Sequence, residues 1–164
     1  MGFIFESKFS LETSGSVTKA KEAKNDAEYL KVTDTLKTAL EEKYTAAAGF
    51  LTEGSKLANL DVDGTLATTQ ASLESAKTAL DAAVSALMPE LTFAKTKASA
   101  VKTALELGPL VNEALLAELQ KQANDLPKND QSKADKLDSE LKSLKESLES
   151  LQTLVSDGLK MQVD

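Results

Sequence analysis

Apolar side chains recur along most of this chain at intervals of three and four residues, and this spacing constrains its fold more than any other feature. An α-helix turns about every 3.6 residues, so the spacing places the apolar side chains on one helix face. The clearest example covers three heptads: Ala134, Leu137, Leu141, Leu144, Leu148, Leu151 and Val155. Strand signals are weak beside it, since isoleucine occurs once and β-branched residues do not alternate with polar ones. The sequence therefore predicts an all-α fold.

The same pattern divides the chain into about five helices with short connections between them. One helix is predicted over residues 17–48, and a regular apolar stripe follows over residues 66–87. The stripe resumes after Pro89, where we expect a kink or a sharp turn without loss of helix. Pro109 and Pro127 follow the ends of the next two helices. Because short connections favour antiparallel neighbours, the predicted architecture is an elongated up-and-down antiparallel bundle of about four to five helices.

The domain organisation follows from where this periodicity begins and ends. We expect a single helical-bundle domain over residues 17–157. Residues 1–16 are predicted to form an extended arm, or the stub of an anchor, because three of the five phenylalanines lie in the first nine positions. The first residues lack the basic region and the apolar length of a signal peptide. Residues 158–164, after an Asp-Gly pair, are predicted to form a tail.

The residue types that are missing limit the chemistry available to the chain. It contains no Cys, His or Trp, and all 19 basic residues are lysines. A thiol nucleophile, an imidazole base and an ordinary zinc site are thereby excluded. Without Arg there is no bidentate clamp for phosphate, and a net charge of −7 disfavours binding to nucleic acid. We therefore predict no enzymatic activity, no cofactor and no nucleic-acid partner.

One local motif points to a metal ion. Residues 59–70 resemble an EF-hand calcium loop, with oxygen-bearing side chains at the first, third and fifth positions and glycine at the sixth. The candidate calcium ligands are Asn59, Asp61, Asp63, Thr65 and Gln70. Gln70 stands where this loop requires a bidentate glutamate, and two carboxylates are few for tight binding. The favoured interpretation is an Asp-Gly turn before the next helix, with no metal bound.

Three pairs of carboxylates are candidates for acid–base chemistry: Glu41 with Glu42, Asp61 with Asp63, and Glu146 with Glu149. All of them lie among lysines on predicted solvent faces or in a turn, with no sign of a cleft around them. Aromatic residues make up only 4% of the chain, so few platforms for a sugar are available. A solvated charged surface is the favoured interpretation of all three pairs.

Residues 36–48 and 73–87, rich in Ala, Thr and Lys, resemble helical modules of bacterial surface proteins. The similar families are the FIVAR-type modules of Gram-positive cell-wall proteins and the immunodominant membrane proteins of wall-less bacteria such as phytoplasmas. The resemblance implies an extracellular domain, normally tethered, that binds host or matrix proteins or is recognised by antibodies. It assigns no site residues.

The leading functional hypothesis is a surface-displayed or secreted helical bundle that acts through protein–protein contacts, as a host-binding protein, an adhesin or an antigen. One alternative is a carrier that opens along the bundle seam to bind a lipid or another apolar ligand. A second is a cytosolic coiled-coil scaffold. We expect an extracellular or cell-surface location, with the cytoplasm as the alternative, and a membrane contact only through an anchor. We also expect a monomer, with dimerisation through the last helix as the alternative.

Millimolar calcium should leave the melting temperature unchanged, because a ligand stabilises a protein only by binding its folded state. Thermal unfolding followed by circular dichroism, with calcium chloride compared against sodium chloride at equal ionic strength, is the measurement. A rise in melting temperature that disappears when Asp61→Asn and Asp63→Asn are combined would contradict the turn interpretation.

Overall fold

The computed structural model describes residues 2–51 and 66–163, with side chains over residues 12–51 and 71–160. These residues form five α-helices and one short 3-10 helix (Tyr29–Lys31), and no β-strand occurs among them. The helices are α1 (Gly2–Asn25), α2 (Asp34–Ala48), α3 (Leu66–Glu106), α4 (Glu113–Asn124) and α5 (Gln131–Val163). The predicted all-α helical fold class is confirmed.

The chain packs as two compact units, Met1–Leu91 and Thr92–Asp164, whereas the sequence predicts one bundle domain over residues 17–157. Helices α1, α2 and the first part of α3 belong to the first unit. The rest of α3 belongs to the second unit with α4 and α5. The physical reason for the division is that the buried side chains form two separate clusters, each surrounded by three helical segments.

Leucine and alanine side chains fill the core of the first unit. Leu40 of α2 and Leu80 and Leu87 of α3 are completely buried. Helix α1 contributes Ala20 and Ala23 to the same buried cluster. Small side chains on α1 let its backbone lie close to the other two helices, so the core is narrow and closed by its own side chains.

The helix predicted over residues 17–48 is wrong in one respect, because the chain leaves the helical conformation between α1 and α2. The Asp26 carboxylate accepts a hydrogen bond from the Glu28 backbone N–H at 2.9 Å, which stabilises a turn. Val32 is extended, with φ −72° and ψ 147°. Tyr29 and Val32 fit the helical spacing by coincidence, since both side chains enter the same core from the connection.

A carboxylate from α3 caps the start of α2. Glu90 accepts hydrogen bonds from the backbone N–H of Thr33 at 2.8 Å and from the Thr33 hydroxyl at 2.8 and 2.9 Å. Thr33 is the residue before the first turn of α2, where backbone N–H groups have no partner inside the helix. The capping group thus comes from a residue 57 positions away in sequence, and it fixes the start of α2 against α3.

Both predicted chain ends differ from the observed ones. Residues 2–16 are helical and belong to α1, so an extended conformation over those residues is wrong, while the alternative of an anchor stub stays a prediction. Helix α5 continues to Val163, so the predicted tail over residues 158–164 is wrong up to that residue. Gly158 lies inside the helix, where glycine is unfavourable but tolerated at about 1 kcal/mol relative to alanine. Helix α3 also continues through Pro89, as the resumed apolar stripe predicts.

The second unit contains the last part of α3, helix α4 and helix α5. In this unit α3 and α5 run in the same direction. Gln131 at the start of α5 donates to the Thr96 hydroxyl at 2.9 Å. Further along both helices, the Lys145 ammonium donates to Glu106 at 2.5 Å. Ala104, Leu107 and Ala123 are completely buried in the core that these helices share with α4.

Replacement of Leu80 by alanine should lower the free energy of unfolding of the first unit by about 2–5 kcal/mol, because it leaves a cavity in a closed core. The matched control is Leu30→Ala, since Leu30 is 80% exposed and should change stability by less than about 0.5 kcal/mol. Urea unfolding followed by circular dichroism measures both variants. Equal losses in the two variants would contradict this description of the core.

Candidate functional site

The apolar stripe of α5 changes its surroundings along the helix. In its first half, Leu141 is 2% exposed, and Leu137, Leu144 and Leu148 pack partly buried against the core of the second unit. From residue 149 to residue 160, every side chain is exposed. The stripe therefore begins as a core surface and ends as a solvent-facing surface on the same helix.

Four large apolar side chains lie on this exposed part of the helix: Leu151, Leu154, Val155 and Leu159, exposed by 56, 67, 63 and 58% respectively. Their spacing of three, one and four residues places them on one side of the helix. We refer to these four residues as the distal α5 face. Exposed apolar residues scattered singly are ordinary, but a contiguous patch marks a surface for interaction.

The distal α5 face is exposed because its helix is longer than the helices beside it. Glu106, the last residue of α3, already lies opposite Lys145. The connection between α3 and α4 covers the end of the core there, with Leu107 buried and Val111 packed against the cluster. Residues 150–163 of α5 extend beyond this point, about 20 Å of helix at 1.5 Å per residue.

Charged residues avoid the distal α5 face. Between residues 150 and 160 only Asp157 and Lys160 are charged, and helical geometry places both on the opposite side from Leu151 and Val155. Gly158 lies within the apolar side, between Leu151 and Leu154, and Gln152 lies at its edge. The surface therefore offers shape and apolar area without a charge that a partner must neutralise.

A groove between α1 and α3 in the first unit is polar and internally paired. Its volume is about 380 Å³, and its wall carries the Lys77–Asp81 ion pair at 2.8 Å. Burial alone raises the pKa of the Asp81 carboxyl, but hydrogen bonds from Lys77 and Ser16 outweigh it and hold that pKa below its usual value. The hydrogen bond that Lys77 donates to Asp81 also raises the pKa of Lys77. Lys77 and Asp81 are therefore paired with each other inside the first unit.

A similar groove between α3 and α5 in the second unit holds a chain of opposite charges. Lys145 donates to Glu106 and lies 3.8 Å from Glu149. The hydrogen bond from Lys145 lowers the pKa of Glu106, and the same bond raises the pKa of Lys145. These alternating charges join α3 to α5 at the surface.

Glu41, one of the predicted carboxylate candidates, has structural partners. It lies 2.8 Å from the Lys24 ammonium and accepts a hydrogen bond from the Tyr29 hydroxyl at 3.3 Å. Lys24 also sits 4.0 Å from the centre of the Tyr44 ring, at cation–π distance. Burial, with the nearby charge of Glu41 and its hydrogen bond, raises the pKa of Tyr29 to about 12.

The remaining sequence-predicted site residues have various outcomes. Asn59, Asp61, Asp63 and Thr65 lie outside the described residues, as does the side chain of Gln70, so the calcium loop stays a prediction. Glu146 and Glu149, the third predicted pair, both line the groove between α3 and α5. Lysines line the same groove, and Lys145 lies 3.8 Å from Glu149. Within the described ranges, no group of three or more Asp and Glu side chains is placed to hold a metal ion.

Sequence reasoning missed part of the distal α5 face. Leu154 was outside the predicted heptad seam, and Leu159 fell in the predicted tail. A signal for the face is present in the sequence, since the apolar stripe of the last helix continues well beyond the length of the short helix that precedes it. A helix that outruns its neighbours must leave the end of its stripe uncovered.

Comparison with known proteins finds no matching family model, no similar curated protein and no similar solved structure. The resemblance to bacterial surface-protein modules therefore stays a prediction. Among the described helices, none is long and apolar enough to cross a membrane.

Replacement of Glu41 by glutamine should lower the pKa of Tyr29 from about 12 towards its ordinary value of 10.0, because the carboxylate disfavours the phenolate. Glu42→Gln is the matched control, since the adjacent Glu42 is exposed. Near-ultraviolet absorbance of tyrosinate, titrated against a Tyr29→Phe reference, measures the pKa.

The raised pKa of Tyr29 also gives the stability a defined pH dependence. A group whose pKa is higher in the folded state stabilises that state fully below its unfolded pKa, near 10. This contribution is lost as the pH rises through the folded value of about 12. Stability that stayed constant between pH 10 and 12 relative to Tyr29→Phe would contradict the burial of this hydroxyl.

Proposed function

We propose that this protein is non-enzymatic and acts through protein–protein contacts, with the distal α5 face as its contact surface. The observation that carries the proposal is the exposure of four large apolar side chains on one side of a helix that otherwise packs into a core. Each such side chain gains about 1.5–3 kcal/mol when it is fully buried. A partner that covers the face therefore has a large apolar area to gain.

The spacing of these residues suits recognition of a helix. Anchors three and four residues apart lie on one side of a helix, and Leu151, Leu154, Val155 and Leu159 have this spacing. Helical partners bind such faces by packing their own apolar side chains between the anchors. The face thus fits another amphipathic helix better than it fits a small molecule.

The composition and the cores support a role in binding over catalysis. The chain lacks Cys, His and Arg, the residue types that most often supply nucleophiles, general bases and phosphate clamps. Leucines with no exposed surface, such as Leu40, Leu80 and Leu107, fill the described cores. A carrier of an apolar ligand would have to open one of these cores and lose that packing.

We place this contact function on a cell surface or in secretion, with host binding, adhesion or recognition by antibodies as its finer forms. The resemblance of residues 36–48 and 73–87 to surface-protein modules supports this placement. So does an acidic exterior rich in Ser and Thr, which resists nonspecific association. A cytosolic coiled-coil scaffold would use the same face of α5 and would differ in location.

A photo-crosslinking phenylalanine analogue at position 154 should form a covalent adduct with a protein in cells that make the full chain. The same analogue at position 153 is the matched control, because Thr153 lies on the opposite side of α5 and bonds only to the Glu149 carbonyl of its own helix. Adducts are detected by electrophoresis and identified by mass spectrometry. Equal adducts from both positions, or none from position 154, would contradict the proposed surface.

A further inference from the structure

We infer that the distal α5 face binds a second copy of this chain, so that two α5 helices pair in antiparallel orientation beyond the ends of their own bundles. The inference rests on the proposed contact function of the face and names its partner. Four features of the structure support it: the continuity of the apolar stripe, the position of α3, the distribution of charge, and the length of helix available.

The first feature is that the exposed stripe continues the core stripe in the same heptad register. Leu141, Leu144 and Leu148 occupy the inward positions of the packed half. Continuing by three and four residues gives Leu151, Val155 and Gly158. Because this spacing already packs against helices in the core, a helix with the same apolar spacing can pack against the exposed stripe. The α5 helix of a second copy has that spacing.

The second feature decides the orientation. The face that is exposed after residue 149 is the same face that contacts α3 and α4 before it. In a parallel pair, the α3 and α4 helices of both copies would occupy the space between the two α5 helices. In an antiparallel pair, the α5 helix of the second copy packs against the first α5 beyond Glu106, where α3 ends. The α3 and α4 helices of the two copies then lie at opposite ends of the α5 pair.

The third feature is the distribution of charge. The chain carries a net charge of −7, so two copies repel each other unless their charges are kept apart. An antiparallel pair that places Val155 of one copy beside Gly158 of the other brings only uncharged positions together over residues 151–159. Asp157 and Lys160 remain on the outer side of each helix.

The fourth feature sets the strength of the pair. Residues 150–163 provide about 20 Å of overlap, which is short for a coiled coil. An interface of this length falls below the roughly 1,200 Å² of total buried area that marks weak and transient association. We therefore expect a weak dimer, with a dissociation constant on the order of tens to hundreds of micromolar.

Sedimentation velocity of the full chain from about 5 µM to about 1 mM tests the inference, over a range that brackets weak association. The weight-average mass should rise from 17.4 kDa towards twice that value. Leu154→Lys should remain monomeric throughout. Thr153→Lys adds the same charge on the opposite side of the helix, so it should still dimerise, with a dissociation constant at least tenfold lower than that of Leu154→Lys. Circular dichroism at low concentration checks that the two units of each variant stay folded.

The orientation has its own measurement, made simple by the absence of cysteine. A spin label on Ser143→Cys should give a distance between the two copies of roughly 40 Å in the antiparallel pair and less than about 20 Å in a parallel one, from the rise per residue of the helix. A short distance would overturn the antiparallel orientation.

The outcomes separate this inference from the proposed function. A wild-type chain that stays monomeric to 1 mM overturns the self-pairing, and so does a dimer that Leu154→Lys does not weaken. If the monomeric chain still gives adducts with a different protein from position 154 and not from position 153, the contact function stands and only the choice of partner is wrong. If neither experiment detects a contact at position 154, both are wrong.

Discussion

Close packing of leucine against alanine is the interaction on which both units of this protein depend. Each unit brings three helical segments together around a narrow core, and the alanines allow the helix backbones to approach closely. Polar contacts then fix the helices in register: Glu90 holds the start of α2, and the Glu106–Lys145 pair joins α3 to α5. The side chains of the described cores thereby stabilise the fold, and the proposed contact uses the outer surface of α5.

The helical fold was predictable because its signal is local. Apolar residues at intervals of three and four specify a helix wherever it packs, and Gly108 with Pro109 ends α3 for steric reasons that need no tertiary information. The prediction failed where a nonlocal partner decides the conformation. The break before α2 depends on Glu90, 57 residues away from Thr33, and on side chains of the connection, such as Tyr29, entering the core. Helical spacing could not reveal either one.

The division into two compact units and the exposed apolar face of α5 were harder to predict for a related reason. Whether a stripe is covered depends on the relative lengths of neighbouring helices, and the sequence gives helix ends less reliably than helix interiors. The sequence predicts that α5 ends near Asp157, which leaves Leu159 in the predicted tail, whereas α5 continues to Val163. Pro89 suggested a kink between helices of one bundle, whereas the boundary between the two units falls just after it, at Leu91.

The small buried side chains in residues 12–25 of α1 have a consequence for how the first unit opens. Ala20 and Ala23 bury little area compared with a leucine, and the Thr13 hydroxyl is buried without a hydrogen-bond partner among the described residues. Detaching this part of α1 therefore loses less apolar contact than separating α2 from α3. Amide hydrogens of residues 12–25 should exchange with solvent ahead of those around Leu40 and Leu80, so local unfolding of this part of the unit starts at α1.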